Sequence, residues 1–165
     1  MQKGYLSAQV RHKIGEDTNG PIYDDWKVLA NNVPNLLTNA GKDLLHNYGY
    51  IKVAADATTV IGANFIALTE ATITPGVTDT TLSSEISTNG LQRAAATTAT
   101  HTPAANTSVL SKTFTASGSF TSVLASALFT ASSSGTMVHE ANFATGSGTL
   151  ISGDQLAVTW TITLS

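Results

Sequence analysis

From Ala94 to Ser165 the chain carries only three formally charged side chains, Lys112, Glu140 and Asp154. The rest is Thr, Ser, Ala, Gly and apolar residues, largely in alternation. Residues of this kind favour a pleated, half-buried surface. A free-standing domain normally keeps a charged, mixed exterior for solubility. Strand surface this poor in charge is suited to packing against something, most simply neighbouring copies in an assembly. Over the whole chain 12% of residues are charged, about half the usual globular share of roughly 25%. The hydrophobic fraction of 42% is ordinary, so the chain is not of the disordered class. Its 165 residues suit one domain, able to bury about 70% of its unfolded surface.

Several chemistries have no signature here. There is no Cys, which removes disulfides and thiolate metal sites and fits a reducing compartment. No basic run exists and the net charge is −3, so no nucleic-acid footprint is expected. No apolar run approaches the roughly 20 residues of a membrane helix, and the segment Met1–Ser7 has no apolar core of a secretory signal. His12, His46, His101 and His139 lie in separate segments without metal-ligand spacing. Glu16, Asp17 and Asn19 lack the spaced oxygens and glycine of a calcium loop. No Gly-x-Ser-x-Gly elbow occurs, and Gly146-Ser147-Gly148 lacks the third glycine of a dinucleotide fingerprint. The expectation is a chain with no catalytic residues, cofactor or metal.

Period-two alternation runs through residues 5–14, with Leu6, Ala8, Val10, His12 and Ile14 on one face, the mark of a half-buried strand. The Glu16–Pro21 turn, with Asn19-Gly20, leads into a second strand over 22–31 that ends before Pro34. Residues 1–32 are therefore expected to form an N-terminal hairpin or arm. Leu37, Ala40, Gly41, Leu44, Leu45 and Tyr48 share one helical face, predicting one principal helix over 36–48 with Asn35, Thr38 or Asn39 as its cap. Asn64–Thr69 reads as a short strand, Thr74-Pro75-Gly76 as a turn, and Asp79 as the cap of a helical turn through Leu82 and Ile86. The remainder reads as an antiparallel meander with strands near 91–101, 107–116, 119–130, 136–144 and 154–164. In the last, Leu156, Val158, Trp160, Ile162 and Leu164 share the core face. The predicted fold is mainly β: a single antiparallel β-sandwich over 1–165, jelly-roll or immunoglobulin-like, with a strand-rich body over 64–165.

Structural roles are expected for Trp160 in the core and for Glu85 and Arg93, opposite charges flanking the Asn89-Gly90 turn. Arg11, Lys13, Asp24 and Asp25 are the candidate partner contacts. Charged strands at a domain margin can meet a partner without aggregating beforehand. The alternative is that both N-terminal strands simply pair within the main sheet.

Three segments together resemble a known group. They are Asn35-Leu36-Leu37-Thr38-Asn39-Ala40-Gly41 after the first strands, then Asn64-Phe65-Ile66-Ala67-Leu68-Thr69, then Thr74-Pro75-Gly76 running into Asp79-Thr80-Thr81-Leu82-Ser83-Ser84-Glu85 and Arg93. This order, over residues 5–115, resembles tailed-bacteriophage virion proteins of the structural, decoration or tail-associated kind. Thr69 stands where that pattern has Gly. The resemblance implies a non-enzymatic head decoration (cement) protein binding the major capsid protein or other virion proteins. It would act as a homo-oligomer, expected to be a trimer, assembled in the host cytoplasm and located in the virion. The other readings are a tail, neck or baseplate component, a non-viral filament or surface-layer subunit, and a carbohydrate- or calcium-dependent module. No nucleic acid or membrane partner is expected.

Overall fold

The computed structural model describes residues 3–41, 62–101 and 107–163. Their strands are β1 (Lys3–Arg11), β2 (Lys13–Asp17), β3 (Gly20–Tyr23), β4 (Lys27–Pro34), β5 (Leu36–Leu37), β6 (Phe65–Thr69), β7 (Ala94–Ala95), β8 (Thr98–His101), β9 (Thr107–Thr115), β10 (Ala125–Phe129), β11 (Met137–Asn142) and β12 (Gln155–Thr163). One five-stranded sheet has the order β4-β1-β12-β9-β8 and a second β5-β11-β10-β6-β7, while β2 and β3 form a separate hairpin. Every pairing is antiparallel. The chain is mainly β and arranged as an antiparallel sandwich, as the alternation predicts.

The first sheet is built around β12, flanked along its whole length by β1 and β9. Leu156, Val158 and Trp160 alternate inward, and Leu6, Ala8 and Val10 lie beside them on β1. Together with Phe114 they meet Ile66, Leu68 and Leu128 of the second sheet in one core. Trp160 is wholly buried, and its indole Nε1–H donates to Ser126 Oγ on β10 across the core at 3.2 Å. A buried indole needs such a partner.

The second sheet is covered on both faces. All five residues of β10 are buried, as are the first five of β11. Residues 70–86 cross its outer face as a strap, and Ile73 and Leu82 pack there with Ala67, Ala127, Phe129 and Met137. Strands buried on both faces lose the alternating pattern and read as continuous runs.

Four local expectations are corrected. Leu36–Leu37 is strand, paired with His139 and Glu140. Helix starts only at 39–41, and the remainder of the expected 36–48 helix lies outside the described residues. Thr38 is the cap: its Oγ1 accepts from Gly41 N at 3.0 Å. A Cβ on Gly41 would sit 2.7 Å from the Val138 carbonyl, so glycine permits the close approach to β11. Second, residues 79–86 hold no helix; Asp79 instead accepts from Gly76 N at 2.8 Å. Third, the C-terminal strands are no meander, since the β10–β11 hairpin belongs to the second sheet while β9 and β12 pair in the first.

Fourth, residues 3–34 pair as the expected hairpin, β1 with β4 and β2 with β3, but its β1–β4 half is part of the first sheet and not a free arm. β1 is an inner strand of the first sheet and β4 is its edge, so the alternative of pairing within the main sheet holds for both. Only β2 and β3 stand apart. The inward alternation stops at Val10, and Ile14 is 66% exposed.

Candidate functional site

Alternation on β1, β12 and β9 fixes what the outer face of the first sheet carries. Cross-strand rows run Lys3–Thr163–Thr107, Tyr5–Thr161–Val109, Ser7–Thr159–Ser111, Gln9–Ala157–Thr113 and Arg11–Gln155–Thr115. Lys3 and Arg11, at the two ends of β1, are the charged positions in these rows. Two of the three charged side chains beyond Ala94 are buried, Glu140 at 2% and Asp154 at 1% exposure. Lys112 is half-buried, its Nζ 5.4 Å from the Phe114 ring centroid. The exterior of this region is therefore even poorer in charge than its sequence.

The face is not flat. Register shifts between β1 and β4 at Leu6/Ala8 and Ala8/Gln9, with Asn32 at φ 52°, bend β4 as β-bulges do. An open depression of about 350 Å³ lies there, lined by Ser7, Gln9, Val28, Asn31, Ala157 and Thr159 among others.

At one end of this face the β2–β3 hairpin is bracketed to the body by two carboxylates. Asp24 Oδ1 accepts from His12 N at 2.6 Å, and Asp24 N donates to His12 O. Asp154 accepts from Lys13 N (2.7 Å), Ile151 N (2.9 Å) and His12 Nδ1 (2.8 Å). Burial pushes the Asp154 pKa up, but donation from His12, Ile151 and Lys13 outweighs it and holds the carboxyl below its ordinary value. The His12 amide likewise lowers Asp24. Asp17 and Glu16 are held locally, Asp17 Oδ1 accepting from Asn19 N and Glu16 pairing with Lys13 Nζ.

The expected partner contacts are thus mostly engaged within the chain. The Arg11 guanidinium lies over the Tyr23 and Trp26 rings at 4.1 and 4.7 Å and donates twice to Gln155 Oε1. Lys13 pairs with Glu16, and Asp24 with Lys27. Asp25 is exposed. This end presents a mixed surface, with Ile14, Ile22, Trp26 and Val28 exposed beside Glu16, Asp17, Asp25 and Lys27.

Glu85 and Arg93 meet as their spacing across the turn suggests. Arg93 donates from Nε and Nη2 to the two Glu85 oxygens at 2.8 and 2.5 Å. Its Nη1 donates to the carbonyls of Ala131 and Ser134, and its guanidinium lies 3.4 Å from the Phe129 ring centroid. This clamp pins the end of the strap. Thr69, in place of the pattern's Gly, ties down the same region by donating to Ser83 O at 2.7 Å.

Two polar side chains of β11 fasten the strap's middle. Asn142 accepts from Ile73 N and donates to Ile73 O. Glu140 Oε1 accepts from Gly76 N at 3.0 Å. Burial and the neighbouring Asp79 push the Glu140 pKa up to about 7. His139 faces the other way, 6.2 Å from the Trp160 ring, and burial drives its pKa down to about 4.

Sequence reasoning missed Glu140, Asn142, Asp154 and His12 as anchors. The available signal was isolation: a lone acid in an otherwise uncharged stretch is either a solvated surface group or a buried one with assigned partners. Among the described residues no group of three or more His, Asp or Glu is placed to hold a metal ion, and no helix is long and apolar enough to cross a membrane. No protein-family model, curated protein or solved structure matches the chain.

Proposed function

We propose that this chain is a non-enzymatic structural subunit that works by packing the outer face of its first sheet against other protein. The observation that carries the reading is that face: five strand-crossing rows of Thr, Ser, Gln, Ala, Val and Tyr whose charged positions, Lys3 and Arg11, stand at the two ends of β1. Interface cores are depleted in charge and enriched in Tyr, with polar groups that hydrogen-bond across. A standard interface takes about 800 Å² and roughly 20–30 residues per partner, so the flanking strands β4 and β8 of the same sheet complete the patch that these rows begin. On the resemblance of its N-terminal two-thirds, the assembly is a tailed-phage particle. There the chain decorates the capsid as a homo-oligomer, expected to be a trimer, and bridges major capsid subunits. Many copies, each weakly bound, would stabilise the shell by multivalency.

The test is to locate the chain on intact particles by electron cryomicroscopy and count it. Hundreds of copies over the capsid lattice are expected. A handful of copies on the tail would move the protein to the tail-component reading. Absence from particles, with self-polymerisation of the pure chain, would replace the phage assignment by the filament reading.

A further inference from the structure

The strap over residues 70–86 is pinned at its ends and fastened differently in its middle. At one end Glu70 Oε1 accepts from the amides of Thr121 and Ser122; at the other Arg93 clamps Glu85. Between them, two carboxyls converge on one donor. Gly76 N–H lies 2.8 Å from Asp79 Oδ2 and 3.0 Å from Glu140 Oε1. One amide hydrogen cannot satisfy both the buried Glu140 carboxylate and the half-buried Asp79 carboxylate beside it, so the arrangement is complete when one carboxyl is protonated and donates to the other. Glu140 is the more deeply buried, with Asp79 as its hydrogen-bond partner.

We propose that Glu140 and Asp79 form a proton-operated latch that closes the middle of the strap on the second sheet and opens when the shared proton is lost. With both groups ionised, the buried Glu140 carboxylate faces the like charge of half-buried Asp79 with a single amide donor between them. The cheapest relief is for the strap to lift at Gly76, which returns both carboxylates to water. Lifting uncovers the apolar outer face beneath Ile73 and Leu82, including Phe129 and Met137.

The surroundings leave the two carboxyls to each other. Ala127 lies opposite Glu140 on β10 and Leu36 on β5. Asn142, two residues along on β11, is occupied with Ile73. His139 points to Trp160 on the other face, and Arg93 is committed to Glu85. Among the described residues no cation enters the titration of Glu140. Its pKa near 7 places the transition at neutrality, between the pH of acidic compartments and that of a growing culture.

Site-resolved amide exchange at pH 5.5 and 8.5, corrected for intrinsic rates, tests the latch. If opening restores Glu140 to its ordinary pKa of 4.5, protection of the Ile73 and Gly76 amides should fall by about thirtyfold over that interval. The Ile86 amide at the clamped end and the β12 amides should change by no more than about threefold, because the His139 shift offsets most of the Glu140 shift in global unfolding. Glu140→Gln keeps a neutral donor for Asp79 and should remove the pH dependence. The carbon-13 titration of the wild-type Glu140 carboxyl should have its midpoint near 7. Equal protection at both pH values, loss of protection spread equally over β12, or a carboxyl midpoint near 4.5 would each overturn the proposal.

Discussion

The two sheets are built from similar residues and treat their outer faces in opposite ways. The second is roofed by the 70–86 strap, so β10 and β11 are buried without alternation. Among the described residues no strap crosses the outer face of the first, and β12 alternates between buried and half-buried along most of its length. Thr, Ser and Ala serve as core filling in one place and as an uncharged exterior in the other. The lesson is that poverty of charge alone does not mark an interface. Part of it belongs to a sheet enclosed by its own chain, and only the part facing away from the core on β1, β12 and β9 is left for a partner.

The contrast breaks most severely if the shared core goes. Trp160→Ala removes a wholly buried indole and leaves the Ser126 hydroxyl without its partner. Denaturant unfolding should show a loss of about 3–5 kcal/mol.

Next in size is the clamp at the strap's end. Arg93→Ala leaves Glu85 and two carbonyls without their donor and uncovers Phe129. Removing one partner of a largely buried pair should cost about 3 kcal/mol. Arg93→Lys should recover only part of it, because an ammonium cannot match the fork.

A pH profile sharpens the comparison, because adjacent residues of β11 point into the two different environments. Glu140 has a folded pKa raised to about 7. The folded state therefore holds its proton longer than the unfolded state, and stability falls as pH rises from about 4.5 to about 7. His139 has a folded pKa lowered to about 4. The unfolded chain takes up that proton first, so stability rises with pH from about 4 to about 6.5. Between pH 4.5 and 6.5 the two slopes oppose, and the wild-type curve should be nearly level. Glu140→Gln should unmask the histidine slope, a gain of about 2–3 kcal/mol over that interval, read from midpoints at each pH. Asp154, held below its ordinary value, adds stability above its unfolded pKa that is lost as pH falls through the folded one.

A smaller effect is expected at the bracket. Asp24→Ala removes the acceptor of the His12 amide at the boundary between β1 and β2. It should cost about 1 kcal/mol globally. Amide exchange should quicken in β2 and β3 while β12 stays protected.

How much of this was legible follows from the same comparison. β12 could be read because one face is open, and alternation records that directly. Trp160 followed as core, and the Glu85–Arg93 pair followed from its place across a turn. β10 and β11 could be located but not assigned to a sheet, because Ala125–Phe129 has no alternation to say which face is which. The short strand Leu36–Leu37 was hidden by a helical spacing of apolar residues, since its pairing with β11 is set by contacts about 100 residues away. The strap was invisible for a related reason. Its hold on the sheet comes from Asn142 and Glu140, whose partners are backbone groups of Ile73 and Gly76. Arg11 and Asp24 read as partner contacts because what engages them, Gln155 and the Tyr23 and Trp26 rings for Arg11 and the His12 amide for Asp24, lies in other elements. The short Lys13–Glu16 pair has no mark in the sequence to tell it from two solvated charges.

The central claim, that the open face of the first sheet is the packing surface, is tested most directly at Thr159, in the middle of the rows. A lysine there can reach solvent in the free chain, so folding stability should change by no more than about 0.5 kcal/mol. In an assembly it would bury an unpaired charge. Mixed in equal amounts with wild-type chain and offered to particles that lack the protein, the Thr159→Lys chain should be excluded from the pelleted particles. Incorporation equal to wild type would contradict the account.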